Sequence, residues 1–202
     1  MTGERPAIGR WIVAVTVGEA VGFAVAAAIA VVVTVSGMNP ALGLLLIVSG
    51  GAVEGALLGI GQVVGLGRFA PARRRWIGAT SAGAAAAWGI GLMPSTIGLN
   101  DLTPAVIPLV ALGAVLLLSM IPVAQWLAIR HRPRSLRWVP ASMGSWAVAA
   151  AWTAAPSPFI DEGSPLALVA GLYVVAGLLM ALTIASLTAP LARSVFTAGP
   201  RN

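Results

Sequence analysis

The sequence predicts an all-α, polytopic membrane protein: six transmembrane helices forming three parallel helical-hairpin repeats, with both termini in the cytoplasm. Three observations predict it. Of 202 residues, 58% are hydrophobic and 9% are charged, against roughly 25% charged in a soluble domain. The apolar residues fall in long runs, and a run of about 18 or more reads as a membrane span. The arginines cluster in alternate connections, the pattern the positive-inside rule sets for short loops.

The spans are expected at residues 11–36, 41–67, 76–93, 105–129, 138–155 and 166–189. Asn39-Pro40, Pro94-Ser95 and Pro156-Ser157-Pro158 mark breaks between them, because proline lacks an amide donor and restricts the residue before it. Residues 1–202 then form a single transmembrane domain, and no connection is long enough to fold separately.

The net charge is +6, and every basic side chain apart from His131 is arginine. Arg5 and Arg10 precede the first span. Arg68, Arg73, Arg74 and Arg75 follow the second, Arg130, Arg132, Arg134 and Arg137 follow the fourth, and Arg193 and Arg201 follow the sixth. The other three connections hold no arginine, and two of them carry Asp101, Asp161 and Glu162. Each connection gives the same orientation, N-in and C-in, in a bacterial cytoplasmic (inner) membrane. The arginine-only, Ala/Gly/Val-rich composition points to a GC-rich bacterial genome. The charge is therefore a topology signal and not a nucleic-acid signal. Arg73, Arg74, Arg75, Arg130, Arg132, Arg134 and Arg137 could also meet anionic lipid headgroups.

The odd-numbered spans open alike. Arg10-Trp11-Ile12-Val13-Ala14, Arg75-Trp76-Ile77-Gly78-Ala79 and Arg137-Trp138-Val139-Pro140-Ala141 each lead to a small residue seven beyond the Trp: Gly18, Gly83 and Ser145. In the even spans Gln62 and Gln125 stand 63 residues apart, and Thr183 or Thr188 falls near the corresponding place in the last. The unit is a hairpin of about 63 residues, at 8–67, 73–130 and 135–193. Parallel membrane repeats are usually related by an axis along the membrane normal. The Arg-Trp pairs read as interfacial anchors, with Trp11, Trp76 and Trp138 at headgroup depth. Gln62 and Gln125 read as interhelical hydrogen-bonders near helix ends. The Ala-rich first span could pass for a signal peptide; its place in the repeat argues that it is retained.

These motifs resemble a loose group of bacterial multi-pass membrane proteins in which Trp-x-x-Ala-x-x-x-Gly helices alternate with helices ending in Gly-x-x-x-Gly-x-x-Gln-Trp. The residues that match are Trp76, Ala79, Gly83, Gly55, Gly59, Gln62, Gln125 and Trp126. Val63 departs from the pattern after Gln62, and Pro122 departs from it before Gln125. The resemblance implies a multi-pass helical fold and no activity.

Small residues at four-residue spacing let helix backbones approach closely. Gly51, Gly55 and Gly59 do this in the second span, and Gly18, Gly22, Ala26 and Ala30 in the first. The expectation is that these stripes join spans one and two in a tight hairpin. The alternative is that one of them packs on another membrane protein or a second copy.

Glu19 and Glu54 are the acidic residues inside spans, and no span contains a cation. Arg10 lies about 13 Å from Glu19 along the helix, and Arg68 about 21 Å from Glu54, at 1.5 Å per residue. An ionised carboxylate in hydrocarbon costs at least about 2.5 kcal/mol. Each glutamate therefore has to be neutral, face water, bind a cation, or meet a partner from another chain. A neutral glutamate would hydrogen-bond to Thr16, Ser49, Thr80, Ser81 or Gln62. Ala84 and Trp146 take the place of Glu19 in the other hairpins, and about Leu117 that of Glu54. The scaffold repeats while the acidity does not, which makes Glu19 and Glu54 the proton or cation candidates.

Other chemistries lack their residues. There is no cysteine, no lysine and a single histidine, so thiolate metal sites, c-type haem, bis-histidine sites and Schiff-base cofactors are excluded. No nucleotide, zinc-protease or serine-elbow motif occurs, and no span holds a His to serve as a base. No catalytic residue, metal or cofactor is expected. Two functions stay open: a small transporter or channel-like protein using Glu19 and Glu54, and a non-catalytic accessory subunit packing its glycine face on another membrane protein.

Overall fold

The computed structural model describes residues 6–96, 103–104, 106–161 and 163–196. Arg5, Asp101, Glu162 and Arg201, named above, lie outside them. Among the described residues the fold is all-helical, with six α-helices: α1 (Ile8–Ser36), α2 (Pro40–Leu66), α3 (Arg73–Thr96), α4 (Ile107–Ile129), α5 (Trp138–Ala154) and α6 (Leu166–Val195). Short 3-10 turns stand at Gly67–Phe69, Ser135–Arg137 and Ser157–Phe159.

Local chemistry sets the boundaries. α1 stops at Gly37, whose φ of 59° is the left-handed conformation glycine adopts at a helix end. Asn39 caps α2, its Oδ1 accepting from the Ala41 amide at 2.9 Å, with Pro40 in the first helical position where no amide partner is needed. α3 passes through Pro94 to Thr96 and starts at Arg73, so the expected break at Pro94 comes late. α6 likewise carries Pro190 inside it and runs to Val195.

Four of the six helical segments are long and apolar enough to cross a membrane: Ile8–Ser36, Pro40–Phe69, Ile107–Ile129 and Leu166–Val195. α5 has 17 residues, about 26 Å at 1.5 Å per residue, against a hydrocarbon core of about 30 Å. α3 opens with three arginines and is diluted by alanine and glycine.

Each helix packs against the next in sequence, and α6 returns to α1. The six therefore form a closed ring. Polarity across it is inverted relative to a water-soluble protein. Glu19, Glu54, Gln62, Thr80, Gln125, Ser142, Ser145 and Thr188 are buried, while Val13, Val21, Leu45, Leu112, Val174 and Leu182 are exposed. An apolar exterior around buried polar groups suits a lipid solvent.

The glycine stripes pack inside the chain, the α1 stripe on the expected partner and the Gly51, Gly55, Gly59 stripe on another. Gly18 and Gly22 of α1 do face α2, lying on the backbones of Leu57 and Glu54. The α2 positions facing α1 are Glu54, Leu57, Gly61 and Gly65, the last lying on Trp11. Gly51, Gly55 and Gly59 instead face α3. An ideal Cβ on Gly55 would stand 2.5 Å from Ala84 Cβ and 2.6 Å from the Thr80 carbonyl. The reason is angular: neighbouring residues sit about 100° apart around a helix, so α2 holds two adjacent small-residue rows, one for each neighbour.

Candidate functional site

The arginine-rich end of the ring is closed by a layer of indoles. Trp11, Trp76 and Trp138 are 1%, 0% and 0% exposed. This corrects the expectation of headgroup anchors: the rings turn inward and meet one another. The Trp76 and Trp138 centroids are 5.6 Å apart, those of Trp11 and Trp138 6.4 Å, and Phe196 stacks edge-on to Trp76 and Trp138 at 5.6 and 5.7 Å. Such edge-on pairs align positive ring edges with negative faces.

A buried indole N–H needs an acceptor, and the even helices supply one in each case. Trp76 Nε1 donates to Gln62 Oε1 at 2.8 Å, and Trp138 Nε1 to Gln125 Oε1 at 2.8 Å. Gln125 Nε2 donates to Gln62 Oε1 at 2.8 Å and to Thr80 Oγ1 at 3.0 Å. Trp11 Nε1 crosses to α6, donating to the Ala185 carbonyl at 3.1 Å and to Thr188 Oγ1 at 3.3 Å. Thr188 therefore stands where the glutamines stand, while Thr183 Oγ1 accepts from Trp152 Nε1 at 3.0 Å.

Arginines rim this layer. Arg10 Nε donates to the Gly65 carbonyl at 3.1 Å, and Arg75 Nη2 to the Leu127 carbonyl at 3.4 Å. A cation at a helix C-terminus complements its partial negative charge. Gly67, with φ 55°, leaves room for the Arg10 guanidinium where a side chain would otherwise lie. Arg132 sits 5.1 Å above the Phe196 ring, and partial burial pulls its guanidinium below the usual arginine pKa. Arg73, Arg74, Arg130, Arg134 and Arg137 are exposed.

Further along the ring axis lie the carboxyl groups. Glu54 is eight residues before Gln62, so about 12 Å from the indole layer. Glu19 is fully buried, and the Glu54 carboxyl is its ionisable neighbour across the α1–α2 contact. That contact is close because Gly22, one turn beyond Glu19, lies directly on the Glu54 backbone. Trp88 Nε1 donates to Glu54 Oε2 at 2.6 Å. Neither carboxyl oxygen of Glu19 makes a hydrogen bond of full geometry.

The polar neighbours expected for the glutamates are engaged elsewhere or unpaired. Ser49 donates to the Leu45 carbonyl, Thr80 to Trp76, and Ser81 to Ala52. Gln62 belongs to the indole layer, and Thr16 Oγ1 has no partner. The group that does reach Glu54, Trp88, was missed by sequence reasoning. Its signal is the repeat: Trp88 stands twelve residues past Trp76, the offset Phe23 has from Trp11.

Glu54 and Trp88 line a cavity of about 400 Å³. All six helices contribute to its wall: Phe23 from α1, Glu54 from α2, Ala84, Trp88 and Gly91 from α3, Leu117 and Ile121 from α4, Trp146 and Thr153 from α5, and Met180 from α6. Glu54, Leu117 and Met180 are spaced by 63 residues. Phe23, Trp88 and Ala150, all on the wall, each lie twelve residues past their hairpin's first tryptophan. Among the described residues no group of three or more His, Cys, Asp or Glu could hold a metal ion. Chemically, the arrangement offers one carboxyl group facing an apolar, aromatic chamber, with a second carboxyl behind it. Compared with known protein families, curated proteins and solved structures, the chain matches none.

Proposed function

We propose that the protein is a small bacterial cytoplasmic-membrane transporter or channel-like protein in which protons or cations pass through Glu54 and Glu19. One observation carries this reading: the Glu54 carboxyl lines a cavity walled by all six helices, with Glu19 buried beside it. A carboxyl pair without a cation among low-dielectric walls is costly to ionise. It is retained where a proton or cation comes and goes. In this reading the chain crosses the membrane six times, N-in and C-in, as three hairpins around an axis along the membrane normal. The 63-residue spacing of Glu54, Leu117 and Met180, and of Gln62, Gln125 and Thr188, supports the repeat.

The indole layer bars the cytoplasmic side in the state described, so passage requires that layer to part. That argues for gated or alternating access over a standing pore. The accessory-subunit reading loses one of its motives, because the glycine rows are occupied by α1–α2 and α2–α3 packing. The test is pH-driven flux in proteoliposomes containing the full chain and a trapped pH dye. Wild type is expected to show flux above protein-free vesicles, and Glu54→Gln and Glu19→Gln to lower it at least tenfold. Wild-type flux in both variants would end the proposal.

A further inference from the structure

We infer that the cavity binds a lipophilic organic monocation, exchanging it against a proton on the Glu54 carboxyl; the inference rests on the transport reading above. An inorganic cation of the calcium or magnesium type takes six or more oxygen ligands. The side-chain oxygens on the wall come from Glu54 and Thr153 alone, far short of that number. A bare metal ion would lack a coordination shell. No basic residue lines the cavity, so an anion would find nothing to offset its desolvation.

The chamber favours a large cation with a hydrophobic skin. Its volume, about 400 Å³, lies within the range of drug-sized ligand sites, roughly 300–1,000 Å³. Three aromatic side chains, Phe23, Trp88 and Trp146, look onto it from three helices. Aromatic faces attract cations whose charge is spread and weakly hydrated, an effect that grows with desolvation. One carboxylate on the wall matches one positive charge. The Trp88 N–H, donating to Oε2 of Glu54, fixes that carboxyl against the wall. Access is apolar as well: a groove between α3 and α4, lined by Ile90, Met93, Leu109 and Leu112 among others, shares Gly91 and Leu117 with the cavity. A lipophilic cation dissolved in the bilayer could reach Glu54 along it without crossing water. Binding and protonation then compete for the Glu54 carboxylate, with Glu19 buried behind it as its one ionisable neighbour among the described residues, so loading the cation releases a proton.

The experiment uses the purified full-length protein in detergent and two probes of one shape, tetraphenylphosphonium and tetraphenylborate. Saturable tetraphenylphosphonium binding is expected, weakening by up to tenfold per pH unit as the medium is acidified through the carboxyl titration. Tetraphenylborate is expected not to compete, and Glu54→Gln to weaken binding at least tenfold. Equal, pH-independent binding of both ions to wild type would overturn the inference as adsorption to apolar surface, and this comparison needs no variant. Absence of tetraphenylphosphonium binding together with Glu54-dependent proton or alkali-cation flux would overturn the substrate class while leaving the transport reading standing. Absence of both would overturn the two together.

Discussion

Replacing Gln125 with Leu tests whether the indole layer holds the ring together. The Gln125 side chain is 1% exposed and makes three hydrogen bonds: to Gln62 Oε1 at 2.8 Å, to Thr80 Oγ1 at 3.0 Å, and from Trp138 Nε1 at 2.8 Å. Side-chain hydrogen bonds between membrane helices average about 0.6 kcal/mol and reach about 1.7. Three of them are worth about 2 kcal/mol at the average value. Leucine has nearly the same volume and leaves the packing intact, but it strands the Trp138 N–H. A buried donor without a partner costs about 1–3 kcal/mol. Gln62 Oε1 keeps its bond from Trp76, and Thr80 keeps the one it gives to the Trp76 carbonyl, so the damage centres on Trp138. The expected loss is about 2–4 kcal/mol, read by titrating the protein in mild detergent with a denaturing detergent and following tryptophan fluorescence. A double-mutant cycle with Trp138→Phe isolates the pair, with a coupling of at least about 0.6 kcal/mol expected. A Gln125→Leu protein within about 0.5 kcal/mol of wild type, or a cycle in which the two effects simply add, would refute the reasoning.

Gly55→Val places carbon against Ala84 and the Thr80 carbonyl, and is expected to cost about 3 kcal/mol by overpacking. Gly113→Ala, with nothing near its new methyl, should stay within about 1 kcal/mol of wild type in the same titration. Gly91→Leu fills the junction where Leu117 Cδ1 already stands 3.2 Å from an ideal Cβ. It is expected to slow the uptake of tetraphenylphosphonium severalfold, with equilibrium binding changed much less; unchanged uptake kinetics would remove the lateral route. For topology, a fluorescent protein fused after Asn202 should fluoresce and a phosphatase inserted after Asp161 should be active. The reverse pattern would refute the N-in, C-in orientation.

The helices were legible because long apolar runs leave an unmistakable composition; all six appear within about six residues of their expected places, and four are long and apolar enough to cross a membrane. The pairing of Gln62 with Gln125 was half legible: matching offsets marked the residues as partners of something, and the structure joins them to each other through Trp76 and Trp138. Two features were not legible. An Arg-Trp pair at a span boundary has the chemistry of an interfacial anchor, and only ring closure, a long-range property, turns Trp11, Trp76 and Trp138 inward. The Gly51, Gly55 and Gly59 row carries no mark of which neighbour it faces, since either side of α2 offers a small-residue row. Glu54 is identifiable by cost alone, but nothing local in the sequence marks an indole, Trp88, as its donor in place of a small polar residue.

The bond from Trp11 to α6 spans 174 residues of sequence. On a ribosome adding roughly 5–20 residues per second, the first helix waits roughly 9–35 s for the acceptor of its indole N–H. During that interval the nascent chain is an open arc with an unpaired donor at one edge and an unfinished seam at the other. Closure of the ring therefore waits on α6. A chain that stalls or is cut before α6 leaves that edge of α1 uncovered, available to proteases and to the wrong neighbours.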